Sequence, residues 1–428
     1  MCWKALDSAA NSKEEFMLSL RTLRALGLTL AVAIIGTIAA TTAMSAGNAS
    51  TIRIWVDKDR LPAITKVAND WAASKGVTIE VVQKGSDSIR SDVKTVQADT
   101  APDIIVGAHD WVGELSSNGS IVPLNPSKAL IAGIPKGAID AFSYGVAIKR
   151  LYGAPVYTEN VALITNTKLA KVPTTWASLE SQALAAKKKL KQKVGIAVQQ
   201  GNGDAYHMYP FFTGLCGYIF GRNAAGNLDA SDIGVANAKF LKVGAPEIDR
   251  WNKVGLINSS VTDGIAKQLF LTGKAAYYVT GPWFLDDIKK SGVKFAVSAF
   301  PDNKCATSPF TGVGGLMVTQ FAATHGVESL AKDFAANYML GAGPQYTHYS
   351  VGGRLPVNAA AAAKITDPYV KGFALSGTKG TSMPNIPQMN SVWTDLGQAW
   401  VRSTKGSGAM PARRSFIGAQ RSIAQKIG

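Results

Sequence analysis

The chain has 428 residues, 46% of them apolar and 17% charged, with a formal net charge of +16. That is enough apolar side chain to bury a sizeable core across two or three ordinary domains, and it excludes an intrinsically disordered chain. The positive balance admits nucleic acid, anionic lipid or cell-wall polymer as partners. However, the densest cluster (Lys187, Lys188, Lys189, Lys191 and Lys193) has no interleaved aromatics, which argues for solvated lysines and against a nucleic-acid groove.

Residues 1–16 are polar and mixed in charge. Met17, Arg21 and Arg24 then precede an uncharged run from Ala25 to Ala46. A basic start, an apolar stretch and small residues at Ala46 and Ala49 describe a secretory signal beginning at Met1 or Met17. The run is also long enough to span a bilayer, so an uncleaved N-terminal anchor over residues 1–49 is the alternative. No cysteine follows it to carry a lipid.

Beyond the leader, Ile52–Val56 alternates as a strand. Leu61, Ile64, Val67, Ala68 and Trp71 share one face of a helix stopped by Gly76, and Val77–Val82 is again a strand. A helix over about Ser88–Ala98 leads through Ala101-Pro102 to a buried strand, Asp103–Val106. This alternation implies an α/β domain with a largely parallel sheet, in which ligands sit beyond the carboxyl ends of strands. The polar residues at those ends are Asp57, Asp59, Arg60, His109 and Asp110, whose other reading is helix capping.

A second α/β unit follows. Gly153–Asn160 places Glu159 between apolar strand segments, as at a point where the chain crosses between domains. A helix opens at Thr174-Thr175-Trp176 and runs to about Lys191, and Val194–Val198 is a strand. The turn Gly201–Asp204 precedes Tyr206, His207, Tyr209, Phe211 and Phe212. Residues 231–243 and 246–254 read as helix. Ala275–Val279 is a strand that turns through Gly281-Pro282-Trp283 into the helix Phe284–Lys290. Phe295–Phe300 and Gly314–Val318 are strands, and Leu330–Leu340 is helical. The tail from Pro411 to Ile427 is a basic amphipathic helix with Phe416, Ile417, Ile423 and Ile427 apolar.

The stretch Met383-Pro384-Asn385-Ile386-Pro387-Gln388-Met389 cannot be helical, because each proline lacks an N–H and fixes its own φ. It reads as a stiff connector to Ser391, a candidate N-cap, with Trp393 at the mouth of the next helix. The chain has no Walker A loop, no G-x-S-x-G elbow, no HExxH pattern among His109, His207, His325 and His348, and no CxxC pair among Cys2, Cys216 and Cys305. No cofactor or metal is implied. Cys216 and Cys305 are either one bridge in an oxidising compartment or buried thiols. Asp59, Asp110, Glu159 and Asp204 are enough carboxylates for a glycosidase pair, so a secreted carbohydrate-active enzyme stays open. The same carboxylates, together with Arg60 and the aromatics, suit sugar recognition. Carboxylates accept strong bonds from hydroxyls, and flat rings cover a pyranose face.

The string MPNIPQM with a tryptophan four residues on resembles maltose/maltodextrin-binding proteins, the solute-binding components of ATP-driven sugar importers. The resemblance extends through Ile54-Trp55-Val56-x-x-Asp59, Ala101–Ile105 with Ala108-His109-Asp110, Tyr206-x-x-Tyr209-Pro210, Gly281-Pro282-Trp283 and Pro309-Phe310-x-Gly312-Val313. It implies an α/β, two-lobe, type II-like periplasmic-binding-protein fold with the ligand cleft between lobes. The lobes would be residues 50–157 with 315–362, and 158–314 with 363–428. Asp59 and Asp110 match first-lobe carboxylates that bind sugar hydroxyls. Asp57 and Arg60 flank them, and Glu159 matches the crossover glutamate. Asp204 roughly matches a second-lobe glutamate, and Tyr206, Trp283 and Trp393 match the stacking aromatics. Three positions depart from the pattern. Gly107 replaces a family tryptophan, and Trp111 and Gly397 replace arginines, which points to Trp111 as supplier of the lost ring. The expectation is an exported, monomeric, non-catalytic binder of maltose or a maltodextrin. It would hand the sugar to an ABC permease in the periplasm or on the outer face of the membrane. A binder of another sugar or solute is the further alternative.

Overall fold

The computed structural model describes residues 50–145 and 148–428. The proposed leader, its start at Met17, its cleavage points and Cys2 all lie outside the described residues. Among the described residues no helix is long and apolar enough to cross a membrane.

Two sheets organise this part of the chain. In the first, Thr51–Val56 pairs in parallel with Thr78–Gln83 on one side and Ile104–Ala108 on the other. Ile52, Ile54 and Val56 are β-branched and fully buried, and the Leu61–Lys75 helix covers the core with Ile64, Val67, Ala68 and Trp71. The sheet then runs on through Phe310–Val318 and Ala154–Glu159 to Leu355–Pro356. These later pairings are antiparallel, so the sheet is mixed, not largely parallel as the local alternation implies. Strands that reach a sheet from elsewhere in the fold need no βαβ crossover and are free to run either way. The second sheet has the order Phe295–Ser298, Ala162–Asn166, Tyr277–Thr280, Ile196–Val198. Beside it lies the Trp176–Lys189 helix, capped by Thr175, whose hydroxyl accepts from Ser178 N–H at 3.2 Å.

The buried side chains divide with the sheets. One core draws on residues between 52 and 157 and between 313 and 357. Two others draw on residues between 161 and 310 and between 365 and 423. The chain leaves the first sheet after Glu159, returns at Gly312 and leaves again after Pro356. The result is a two-lobe α/β fold with several connections between lobes.

The structure departs from the periodicity in three places. Leu228–Ile233 pairs antiparallel with Phe220–Arg222, so residues 231–233 are strand, not helix, and helix resumes before Ala245–Val254. This ribbon has no fully buried face, so no alternating pattern marks it. The helix expected over Ser88–Ala98 is the shorter Ser86–Asp92, with a separate 3-10 turn at Ala98–Thr100. Ser391 is not an N-cap. Pro387–Ser391 is itself a 3-10 turn, and the Trp393–Ser403 helix starts from Val392 with no side-chain cap. Cys216 and Cys305 are joined as a disulfide, which ties the end of the Ala205–Gly214 helix to the loop that feeds Phe310.

Candidate functional site

A cleft of about 1070 Å³ lies between the two sheets. Its walls include Asp57, Asp59, Arg60, Asp110, Trp111, Glu159, Asp204, Tyr206, Trp283 and Trp393, whereas His109, also picked out at a strand end, is fully buried, bonded to Val313 and Met383, and not part of the lining.

The first-lobe wall is built at strand ends. Asp57, just after Thr51–Val56, accepts the N–H groups of Asp59 (3.0 Å) and Arg60 (3.1 Å) and thereby shapes the turn into the next helix. Its other oxygen pairs with Arg60. Arg60 also reaches Tyr157 and pairs with Glu159 at 2.6 Å. Glu159 takes its second pairing, also at 2.6 Å, from Arg354. Burial pushes the Glu159 carboxyl up, but Arg60 and Arg354 outweigh it and hold the group below its ordinary range. Burial likewise pushes the Tyr157 phenol up to about 12. Glu159 is therefore a buried anchor between two arginines, not an open acceptor. Asp59 differs, being solvent-exposed, and among the described residues its carboxylate accepts no hydrogen bond. Partial burial and then the neighbouring Asp57 charge raise its pKa, against Arg354, Arg60 and Lys58.

Asp110 sits in a short 3-10 turn that follows Ile104–Ala108, and its side chain caps nothing. It is buried, with Arg90 at 3.4 Å and the Trp393 indole N–H at 3.1 Å. Trp111 is also buried. A Cβ at Gly107 would lie 2.0 Å from its ring, so the indole occupies the space that a side chain at position 107 would fill. The Trp111 ring packs largely into the first-lobe core.

The second-lobe wall is aromatic. Phe310 is fully buried and acts as its hub. Tyr209 stacks on it at 3.4 Å between centroids, Tyr206 lies at 6.2 Å, and Trp393 meets it edge-on at 5.6 Å. Trp283 lies 6.3 Å from Tyr206, with the Arg354 guanidinium 5.7 Å from its centroid. Asp204 caps the Ala205–Gly214 helix through His207 N–H (2.8 Å) and binds His207 Nδ1 (2.8 Å) and Gln199. Burial raises its pKa, but His207 and Gln199 outweigh it and the net shift is downward. Asp204 is thus a saturated cap at the cleft edge. Gly397 is needed where it stands, since a Cβ there would lie 2.2 Å from the Gly203 carbonyl.

Several cleft residues carry no motif that sequence reasoning could use. Arg354 lies 195 positions from the Glu159 it binds, and Arg90 lies 20 from Asp110. Among the described residues, Arg90 Nη2, Gln200 Nε2 and His207 Nε2 are buried without a partner, and all three residues line the cleft. Buried polar atoms left unpaired are costly, and a polar ligand would satisfy them. No group of three or more His, Cys, Asp or Glu side chains among the described residues could hold a metal ion.

A two-lobe α/β body with a polar and aromatic cleft between its lobes defines a solute-binding protein. The family model for the bacterial extracellular solute-binding protein matches residues 66–374, and the chain belongs to that family. The maltodextrin-binding protein MdxE of Bacillus subtilis is 25% identical over 82% of this chain and 84% of its own. The galactooligosaccharide-binding protein of the same organism is 26% identical over 87% of this chain and 89% of its own. The structure of the Thermus thermophilus maltotriose binding protein, bound with maltotriose, matches with a TM-score of 0.77 at 28% identity. It covers 88% of this chain and 100% of its own.

Proposed function

We propose that this protein captures a maltose- or maltodextrin-type oligosaccharide outside the cytoplasm and delivers it to the permease of an ABC importer. It would act as a monomer and without catalysis. The observation that carries the reading is the pairing of walls. Tyr206 and Trp393 pack on Phe310 with Trp283 beside Tyr206 on one side, opposite Asp59 and Asp110 on the other, and the lining carries unpartnered polar atoms. Rings take the apolar face of a sugar while carboxylates and donors take its hydroxyls. Two of the four candidate carboxylates are poorly placed for hydrolysis, which leaves Asp59, whose pKa is raised, and Asp110 for the enzyme reading. Glu159 and Asp204 have lowered pKa values and filled hydrogen-bond sites, so neither is suited to serve as the proton donor glycoside hydrolysis needs.

The lobes would comprise residues 50–157 with 315–362, and 158–314 with 363–428. Core membership supports this division except at its edge, where Val313 packs into the first core although it falls within 158–314. An exported protein, free in the periplasm or held by an uncleaved leader on the outer face of the cytoplasmic membrane, suits both the family and the disulfide. A second reading, a galacto-oligosaccharide, draws on the comparable identity to a galactooligosaccharide-binding relative. Calorimetric titration with maltose, maltotriose, longer maltodextrins and galacto-oligosaccharides tests both. Binding confined to the maltose series supports the first reading, and preference for galactosides supports the second. Chromatography after prolonged incubation recovers intact sugar from a binder, whereas shortened products establish an enzyme.

A further inference from the structure

A second cavity, of about 700 Å³, lies on the far side of the Trp393–Ser403 helix, between it and the C-terminal helix Ala412–Ile427. Four arginines line it: Arg402, Arg413, Arg414 and Arg421. Among the described residues none of these side chains has a hydrogen-bonding or ion-pair partner. The single acid in the lining, Asp395, is taken by Lys426 at 2.7 Å. Arg413 and Arg414 stand in the first turn of a helix that has no acidic residue there. Positive charge at that end opposes the helix dipole, so these arginines gain nothing from their own helix. Gly418 lies between Arg414 and Arg421 on one helical face, and nothing lies within 4 Å of the position a Cβ would take, which leaves a notch. Ser415 also lines the cavity. It is 1% exposed, and its hydroxyl is buried without a partner.

We propose that this notch is a binding site for a phosphate ester. Guanidinium forks match phosphate oxygens in pairs, and a buried hydroxyl supplies a further donor. The cavity is larger than one phosphate, and Met410 and Ile417 give it an apolar wall for the organic part of the ester. Two sources share this chemistry: the headgroup of an anionic phospholipid, and a soluble phosphate ester. The sugar cleft has no part in the site, although both cavities use the Trp393–Ser403 helix as a wall.

The test is calorimetric titration of the full chain in an uncharged detergent. The ligands are glycerol 3-phosphate and dihexanoyl-phosphatidylglycerol, with dihexanoyl-phosphatidylcholine as the zwitterionic control. Saturable binding is expected, weakened at least tenfold in Arg414→Gln/Arg421→Gln and unchanged in Lys188→Gln/Lys189→Gln, which removes equal charge elsewhere. Ser415→Ala should weaken binding several-fold while leaving the melting temperature unchanged or higher, because it removes an unpaired hydroxyl. Tighter binding of phosphatidylglycerol than of glycerol 3-phosphate identifies a membrane headgroup as the source, and equal binding identifies a soluble ester. The proposal is overturned by an absence of saturable binding, by equal losses in the arginine and lysine pairs, or by unchanged affinity in Ser415→Ala.

Discussion

Trp393 donates its indole N–H to Asp110 across the cleft, at 3.1 Å. The ring belongs to the second-lobe aromatic group and the carboxylate to the strand end of the first lobe, so one hydrogen bond fixes both walls. Trp393→Ala should weaken sugar binding by about 1–2 kcal/mol or more, the scale of one lost aromatic contact. Trp393→Phe keeps a ring and removes only the donor, so it should cost less. Titration calorimetry on folded variants checks this, and wild-type affinity in Trp393→Ala would make the residue purely structural.

Asp110 contributes a charged acceptor. Asp110→Ala should reduce affinity by about 2 kcal/mol or more, because a charge-assisted contact is lost and sugar hydroxyls are left unpaired. It also strips Arg90 of one partner, so the melting temperature should fall as well. Asp110→Asn keeps an acceptor and separates the two effects. A variant that melts early but binds with full affinity would limit Asp110 to a structural role.

Acid should destabilise the protein through Glu159. Its folded pKa lies below its ordinary value of 4.5, so its contribution is complete above that value and is lost as pH falls through the folded pKa. Asp204 shifts in the same direction from 3.8. Melting temperature should therefore hold down to about pH 5 and drop below it. Glu159→Gln should cost about 3–5 kcal/mol at neutral pH, because it leaves Arg354 buried without its counter-charge and Arg60 with Asp57 alone, and it should flatten the acid limb. An unchanged acid limb in that variant would assign the effect to other carboxylates.

Much of this was legible in the sequence, and what escaped has definite causes. Strands and helices with one buried face, such as Ile52–Val56 and Leu61–Trp71, show their period because burial imposes it. The Leu228–Ile233 ribbon lacks such a face and mimics a helix instead. The cleft carboxylates stand next to recognisable strings, so their positions could be read. Their partners could not, because Arg354 reaches Glu159, and Trp393 reaches Asp110, only through the fold. That Glu159 is held between two arginines and Asp204 by His207 and Gln199 is likewise set by the fold and not by any local string.

Sugar should draw the lobes together. First-lobe carboxylates and second-lobe rings enclose one ligand only if the lobes approach, and the extra contacts then favour the closed form. The radius of gyration from small-angle scattering should fall on adding sugar, with tryptophan fluorescence changing in parallel. The glycines Gly314 and Gly315 lie inside a strand paired on both sides, so the bending falls to the crossings beside Asn160 and Phe310. A tightly binding sugar that leaves both signals unchanged would rule out closure.

The disulfide closes a loop of sequence separation 89, and its loss should cost roughly 4–5 kcal/mol on the loop-entropy scale. The Cys216→Ser/Cys305→Ser variant, compared by denaturant unfolding, checks this. Equal stability would show that packing alone holds the loop to the helix.

The Asn385 side chain donates to the carbonyls of Ala141 (3.0 Å) and Ser143 (3.1 Å), which rivets the proline-rich stretch to the first lobe. Eight positions later Trp393 is already packed with the second lobe. So short a tether, with one end pinned, makes this seam a fulcrum. In any rotation of the lobes, points beside a fulcrum travel little, while points far along the jaws sweep a long arc. Trp393 and Asp110 would then meet an arriving sugar in nearly final positions. A sugar would then be gripped first at the root of the jaws and enclosed afterwards from the rim.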